Sequence, residues 1–336
     1  MKTRNLLAFA AATLALAACS NDEVSSDSLL PDDHAIRVTT QVGALQTRAG
    51  VETSNLTEFG MFVTNPNANS PYSYANKKWT RTGDAWACDE LMLWQNATTN
   101  VKVLAYAPYN ADIKLINADQ AVEVVADQNA TGGISVVKSD LICAKSNGVS
   151  PDYPGTSNDE VYYDGAADKK ALNLTFKHMM AKLKIEVTLG TEFNLTGENN
   201  TTVVNPITDL TLCGSKTTAT WDMSTGAITT TGDATAVTPF VSGWIPATGT
   251  NANAAMTNAV ATFECILVPQ TIEAGNFSVS ITINNITYIW TAENAVTLDS
   301  GKLYLLKLTV GKEIVKVTGF SAGDWTGGTG SNLTTD

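Results

Sequence analysis

A strict alternation of apolar and polar residues over 181–189 constrains the fold more than any other stretch. Apolar residues occupy positions 181, 183, 185, 187 and 189, and Lys, Glu or Thr stands between them. A period of two places the apolar set on one face of an extended strand, whereas the faces of a helix repeat every 3.6 residues. The stretch therefore predicts a strand with one face on a core and the other in water.

Shorter runs of the same kind recur along the chain and are divided by turn residues such as Asn65-Pro66-Asn67. The predicted strands are 56–63, 72–79, 91–94, 101–107, 122–125, 134–137 and 141–144, then 172–189, 207–212, 219–223, 261–268, 277–283, 286–291, 303–310 and 314–320. Few stretches carry a helical period, so the pattern predicts an all-β fold. A chain of 336 residues exceeds most single cores. We expect two tandem β-sandwiches, 49–170 and 171–336, divided near the proline- and glycine-containing acidic loop 146–170.

The N-terminus has the features of an export signal. Lys2 and Arg4 precede an apolar run over 6–18 that is too short to span a bilayer as a mature helix. Leu16-Ala17-Ala18-Cys19 resembles a bacterial lipobox, which implies that signal peptidase II removes residues 1–18 and that Cys19 is acylated. Acyl chains would then hold the precursor on the outer membrane. Residues 19–35 are polar and acidic and predict a flexible tether.

A strand followed by a solitary arginine comes next. Ile36, Val38 and Val42 share one face of an extended segment. We expect this segment to complete the first sandwich and leave no open edge. The polar stretch after it offers Arg48 to a protease, and a cut between Arg48 and Ala49 would release everything upstream. Residues 36–48 are thus a predicted removable strand.

Composition and residue types argue against several functional classes. The chain has 33 acidic and 21 basic residues and a net charge of −12, so it has no basic field for nucleic acid. Of its two histidines, His34 lies in the tether and His178 borders a strong strand, where a structural imidazole is favoured over a base. We identify no catalytic residue, no metal site and no cofactor site, and we expect a protein that is not an enzyme.

Two groups of residues allow alternatives. The aromatic residues could line a sugar-binding face, although a place in the core is favoured; they are Tyr72, Tyr74, Trp79, Trp86 and Trp94. Four cysteines besides Cys19 have an open disulfide state; they are Cys88, Cys143, Cys213 and Cys265. The acidic loop could hold calcium through oxygen ligands, but its spacing matches no calcium loop, so a solvated loop is favoured.

Five patches of sequence resemble recurring patches of the fimbrillin-type, or type V, pilins. They are 102–109, 139–142, 176–183, 267–270 and 298–304. With the lipobox they span nearly the whole chain in the order of that family. The resemblance implies two transthyretin-like sandwiches, export as a lipoprotein, cleavage by an arginine-specific protease, and polymerisation on the cell surface by strand exchange. The patches do not specify where the cut falls, so Arg48 rests on its position and context.

The C-terminal region supplies candidate donor strands within 303–320. One apolar face is Tyr304, Leu306, Leu308 and Val310, and a second is Val315 and Val317. Such a strand could fill the groove of a neighbouring subunit by β-strand addition, and because donor and acceptor surfaces differ, the filament would be head-to-tail and open. We therefore expect a fimbrial subunit, either in the shaft or as a minor or tip component, that contributes to adhesion. The alternative is a surface lipoprotein that binds glycan or a host ligand and never polymerises.

Overall fold

A computed structural model describes residues 35–42, 50–95, 99, 101–116, 119–145, 172–193, 204–247 and 257–325. Nearly all of the regular structure in these ranges is β-strand, which confirms the predicted all-β fold. The helical parts are α1 (Ile134–Ser139) and two 3-10 turns, Ala130–Gly133 and Thr191–Phe193. Within the described ranges, no helix is long and apolar enough to cross a membrane. Cys19, Arg48, Ala49, His34 and the acidic loop 146–170 lie outside the described residues.

The strands follow the predicted runs closely in most places. In the first half they are β1 (Val38–Val42), β2 (Glu58–Thr64), β3 (Tyr74–Thr82), β4 (Ala85–Cys88), β5 (Lys102–Ala107), β6 (Asp119–Glu123), β7 (Ile142–Lys145) and β8 (Leu172–His178). In the second half they are β9 (Ala181–Leu189), β10 (Ile207–Cys213), β11 (Lys216–Asp222), β12 (Ile228–Ala234), β13 (Phe240–Ile245), β14 (Val260–Leu267), β15 (Gln270–Ile272), β16 (Ser278–Ile283), β17 (Ile286–Thr291), β18 (Val296–Leu298), β19 (Lys302–Val310) and β20 (Val315–Asp324).

Two predicted strands are wrong. Residues 134–137 form the start of α1 instead, after Gly132 and Gly133 turn the chain with left-handed φ values of 63° and 92°. The helix buries Val136 and Ser139, three positions apart on one face, and tertiary packing therefore overrides the β propensity of its valines. Residues 91–94 form no strand, only a single bridge from Leu93 to Ala35.

The first large sheet has seven strands in the order β1-β8-β7-β5-β2-β3-β4. Its central strand β5 is apolar and buried at every position after Lys102, because both faces of the sheet are covered there. Val103 and Ala105 point into a first core with Phe59 and Phe176, whereas Tyr106 points into a different core on the other face.

A second large sheet has five strands in the order β13-β14-β9-β19-β20. The alternating face of β9 packs with β19 and with the three-stranded sheet β10-β16-β17 around a second core, as the sequence predicts. The opposite face of β9 departs from the prediction at Lys182, which is 1% exposed rather than in water.

A third core joins the two large sheets. It combines residues of the first half, such as Tyr106 and Val136, with residues of the second half, such as Met180, Trp221 and Ile266. The small sheet β12-β11-β6 likewise combines a strand of the first half with two of the second. We call the third core the joining core.

The predicted boundary at residue 170 does not follow the sheets. That boundary places β8 in the second sandwich, whereas β8 pairs with β7 and β1 in the seven-stranded sheet. The chain passes to the five-stranded sheet only at Met179 and Met180, both of which are buried in the joining core. Alternation predicts a strand and its buried face, but it does not say which sheet the strand joins.

Candidate functional site: the outer strands and the polar cluster between them

β1 is one of the two outermost strands of the seven-stranded sheet, at the end opposite β4. It runs parallel to β8, in a register that sets Val38 beside Leu172 and Val42 beside Phe176. The sequence predicts a strand that leaves the first sandwich without an open edge, whereas β1 itself forms one edge of the sheet. The sheet is therefore extended by β1 rather than closed by it.

Apolar side chains hold β1 to the sheet. Ile36, Val38 and Val42, the three residues predicted to be buried, are 5%, 8% and 7% exposed and belong to the first core. Burying a side chain of this size stabilises a structure by roughly 1.5–3 kcal/mol. These three side chains therefore hold β1, and the residues just before it, to the first core.

Hydrogen bonds tie β1, and the two residues before it, to three other segments. The amide of Ile36 donates to the carbonyl oxygen of Met92 at 2.8 Å, and the amide of Leu172 donates to that of Arg37 at 2.7 Å. The amide of Val42 donates to Oγ1 of Thr53 at 2.9 Å. Loss of β1 would leave β8 as the new edge, with unpaired backbone groups and an empty apolar groove.

The two candidate donor runs occupy different positions. Tyr304, Leu306, Leu308 and Val310 lie on β19, an inner strand between β9 and β20, and each is no more than 4% exposed. β20 is an outermost strand, with Val317 37% exposed. At roughly 1.5–3 kcal/mol per buried side chain, removal of β19 would cost about 6–12 kcal/mol in apolar contacts alone.

A buried polar cluster lies where the two large sheets meet. We call it the Asp140 cluster, and its members are Asp140, His178, Lys182, Glu264 and Trp325. Asp140 is 0% exposed and lies 2.9 Å from His178 through Oδ2 and Nδ1. The same Oδ2 accepts a hydrogen bond from the amide of Val51 at 2.7 Å. His178 is itself 9% exposed, so this pair lies in the interior of the protein.

Trp325 closes the cluster at the end of β20. Its ring stacks on that of His178 with centroids 3.7 Å apart and an interplanar angle of 5°. Nζ of Lys182 lies 5.7 Å from the Trp325 ring centroid, a cation–π contact. The amide of Trp325 also donates to the carbonyl oxygen of Gly301 at 2.9 Å.

A buried ion pair supports this arrangement. Lys182 Nζ lies 2.8 Å from Glu264 Oε2, and the two side chains are 1% and 8% exposed. Burial lowers the pKa of Lys182, and the Glu264 carboxylate opposes that shift. Removal of either partner would leave a buried charge uncompensated.

The start of the described chain after the gap at 43–49 packs directly on the cluster. Gly50 has φ 106°, and a Cβ there would lie 2.9 Å from both Asp140 Oδ2 and a ring carbon of Trp325. Only glycine fits this position without displacing one of those groups. Residues 50 and 51, two and three positions past Arg48, are thus held against the end of β20.

Sequence reasoning missed the cluster apart from His178. Asp140 pairs with a residue 38 positions away and with an amide 89 positions away, so no local pattern reveals it. The resemblance to the pilin family gave one signal. Of the five patches that carry it, 139–142 contains Asp140, 176–183 contains His178 and Lys182, and 298–304 contains Gly301. Patches that recur together in a family can mark residues that meet in space.

The other predicted groups have clear positions. Trp79 and Trp94 are 3% and 6% exposed in the first core, so the favoured core assignment is confirmed for them. The four cysteines within the described ranges are free thiols. Burial raises the pKa of Cys143 to about 12 and also raises that of Cys265.

A cavity of about 480 Å³ opens beside β2 and β5. Lys102, Lys114 and Lys145 line it together with apolar side chains, and of the five aromatic residues considered for sugar binding, Tyr74 is the one in its lining. The cavity therefore does not coincide with the predicted aromatic face.

Comparison with known proteins identifies the family. The sequence model described as fimbrillin-like matches residues 47–325. The chain belongs to the fimbrillin-like family. Among curated proteins, no match was found.

Solved structures share the fold of this fimbrillin-like chain. A protein of Bacteroides uniformis described provisionally as a cell adhesion protein has a TM-score of 0.56 at 18% identity, over 88% of this chain and 100% of the other. A protein of Bacteroides ovatus with the same description has a TM-score of 0.59 at 16% identity, over 87% and 97%. A fimbrial protein of Bacteroides vulgatus has a TM-score of 0.50 at 16% identity, over 87% and 99%.

Proposed function

We propose that this chain is a structural subunit of surface fimbriae that polymerises by strand exchange after an arginine-specific cut. The observation that carries the proposal is the position of β1. It is an outermost strand, it is held by three buried apolar side chains, and the chain continues past the candidate cleavage site Arg48 into a segment anchored elsewhere. A cut after Arg48 would fall between β1, which ends at Val42, and β2, which begins at Glu58, and it would separate β1 from the rest of the chain.

The residues before the candidate cleavage site direct export and anchoring. Signal peptidase II removes residues 1–18, acylated Cys19 holds the precursor on the outer membrane, and 19–35 form the tether. Cleavage between Arg48 and Ala49 separates the subunit from its lipid, and the subunit then becomes part of a surface fimbrium. Membership of the fimbrillin-like family supports a role at the cell surface.

The assembly step follows from the loss of β1. An empty groove and the free edge of β8 would accept a strand from a neighbouring subunit, which restores the backbone ladder and the apolar contacts. The position of β20 supports it as the donor over β19, because β20 is outermost and partly exposed. Val315 and Val317 are then donor residues, while Tyr304, Leu306, Leu308 and Val310 keep the second core intact.

The alternative, a non-polymerising lipoprotein that binds a glycan, has less support. The aromatic side chains that would stack on sugars include Trp79 and Trp94, which are buried. We also propose that the protein is not an enzyme and that it contributes to adhesion through the assembled fimbria.

An Arg48→Ala variant tests the proposal in cells. We expect the variant to stay lipid-anchored and to lose the SDS-resistant ladder of multimers on unheated gels. Arg37→Ala is the matched control, since it removes an arginine of the same N-terminal region, and its ladder should match wild type. An unchanged ladder in Arg48→Ala would refute the processing step.

A further inference from the structure

The Asp140 cluster connects the two ends of the chain that the proposed assembly must rearrange. One of its contacts is with Gly50 and Val51, which follow the candidate cleavage site. Another is with Trp325, the residue after β20. We propose that Asp140 couples these ends, so that loss of the N-terminal strand loosens the hold on β20 and releases it as a donor. This inference rests on the proposed function and deepens it.

The coupling begins at the segment that follows the cut. Val42 on β1 donates its amide hydrogen to Thr53 Oγ1, so β1 and the 50–55 turn stabilise each other. Leu56 and Val51 at either end of that turn are 3% exposed in the first core, which also contains the buried side chains of β1. Departure of β1 removes the Thr53 contact and part of that packing, and the turn becomes a chain terminus.

The second step passes through Asp140. Its buried carboxylate accepts a hydrogen bond from the Val51 amide and lies 2.9 Å from Nδ1 of His178, and a buried carboxylate that loses one donor becomes less stable. His178 is also the stacking partner of Trp325, so a shift of the His178 ring reaches the Trp325 ring at 3.7 Å. Lys182 and Glu264 complete the charged surroundings of Trp325.

Gly50 gives a direct steric connection as well. A side chain there would contact both Asp140 and Trp325. The backbone at residue 50 is therefore in van der Waals reach of the groups that anchor the end of β20. Thermodynamic linkage makes this coupling reciprocal: if loss of the contacts at residues 50 and 51 weakens the hold on Trp325, loss of Trp325 weakens the hold on residues 50 and 51 to the same extent.

The coupling describes an autoinhibited precursor. While β1 is docked, the end of β20 is fixed by Trp325 and cannot leave. After the cut, the same strand becomes easier to release at the time when a groove is open on a neighbouring subunit. Premature strand exchange in the periplasm is thereby suppressed.

Hydrogen exchange measured by mass spectrometry on the full-length precursor in detergent tests the coupling. Exchange of amides in 315–325 is compared before arginine-specific cleavage and after cleavage with release of the N-terminal peptide, with β16 as an internal reference for global unfolding. We expect exchange in 315–325 to rise by about tenfold to a hundredfold, which corresponds to the loss of one hydrogen bond to a charged group. The amides of β16 should remain unchanged.

Two variants of the uncut precursor separate coupling from cleavage. Gly50→Ala should raise exchange in 315–325 without any cut, because its Cβ displaces Asp140 or Trp325. Gly83→Ala is the matched control, since Gly83 also has a left-handed φ of 62° but nothing lies within 4 Å of its Cβ. Asp140→Asn keeps the side-chain size and removes the charge, and it should act like Gly50→Ala.

The outcomes distinguish this inference from the proposed function. Unchanged exchange in 315–325 of the cut wild type would overturn the coupling even if multimers form normally, in which case the proposed function stands. Absence of cleavage at Arg48 would instead refute the proposed function. If the variants fail to fold, the comparison of cut and uncut wild type still decides.

Discussion

The hold of β1 on the sheet can be weakened by a chosen amount. In the double variant Val38→Ala, Val42→Ala, each substitution removes about two buried methyl groups from side chains that are 8% and 7% exposed. At about 0.8 kcal/mol per buried group, the pair loses roughly 3 kcal/mol before any cavity penalty. A loss of 1.4 kcal/mol in binding free energy changes an equilibrium constant tenfold. If the whole loss appears in the dissociation rate, the cut strand should therefore dissociate about 150-fold faster.

A time course of strand release measures this effect. Purified precursor is cut after Arg48 under native conditions, and the fraction of the N-terminal peptide still bound is followed by size exclusion and mass spectrometry. Thr39→Ala is the matched control, because Thr39 lies on the same strand with an exposed side chain. If the N-terminal peptide dissociates from the double variant at a rate within about twofold of wild type, these side chains do not hold β1.

Three further results are expected. Gly214→Ala should lower the unfolding free energy in urea titrations by more than about 2 kcal/mol, because φ is 94° and a Cβ there would lie 2.1 Å from a backbone oxygen. Gly275→Ala is the control, since φ is 79° but the space around its Cβ is open, and it should lower the unfolding free energy by about 1 kcal/mol. Cys88 should react with maleimide in the native protein at pH 8, whereas Cys143, buried and with its pKa raised to about 12, should react only after denaturation. Hydroxyl donors lower the pKa of Asp222 to about 2, so its stabilising effect relative to Asp222→Asn should be complete above pH 4 and disappear as the pH falls towards 2.

Strands and their buried faces were largely predictable from the sequence. The alternation over 181–189 predicts a strand with one face on a core, and the apolar side chains of β9 do lie in the second core. Runs such as 286–291 match their strands because turn residues bound them on both sides. These are local properties, so a single segment contains enough information to predict them.

Sheet membership and long-range contacts were not predictable in the same way. β8 and β9 come from one predicted run, yet a break at Met179 and Met180 sends them to different sheets. Lys182 has the polar spacing of an exposed residue, and it is buried because Glu264 and Trp325 cover that face. Such contacts depend on segments that are far apart in sequence, and no local period encodes them.

The candidate site was predicted in part. The burial of Ile36, Val38 and Val42 follows from their period of two, but their place on an outermost parallel strand does not. The two candidate donor runs are both apolar in sequence. What distinguishes them is their position in the five-stranded sheet, where β19 is an inner strand and β20 is an outermost strand. The choice between them therefore required the structure.

Peptide mass spectrometry of fibres sheared from the cell surface shows whether assembled subunits have lost the N-terminal strand. We expect subunits that begin at Ala49, with no peptide from 36–42. Fibres of normal length whose subunits still contain residues 36–42 would refute removal of the strand.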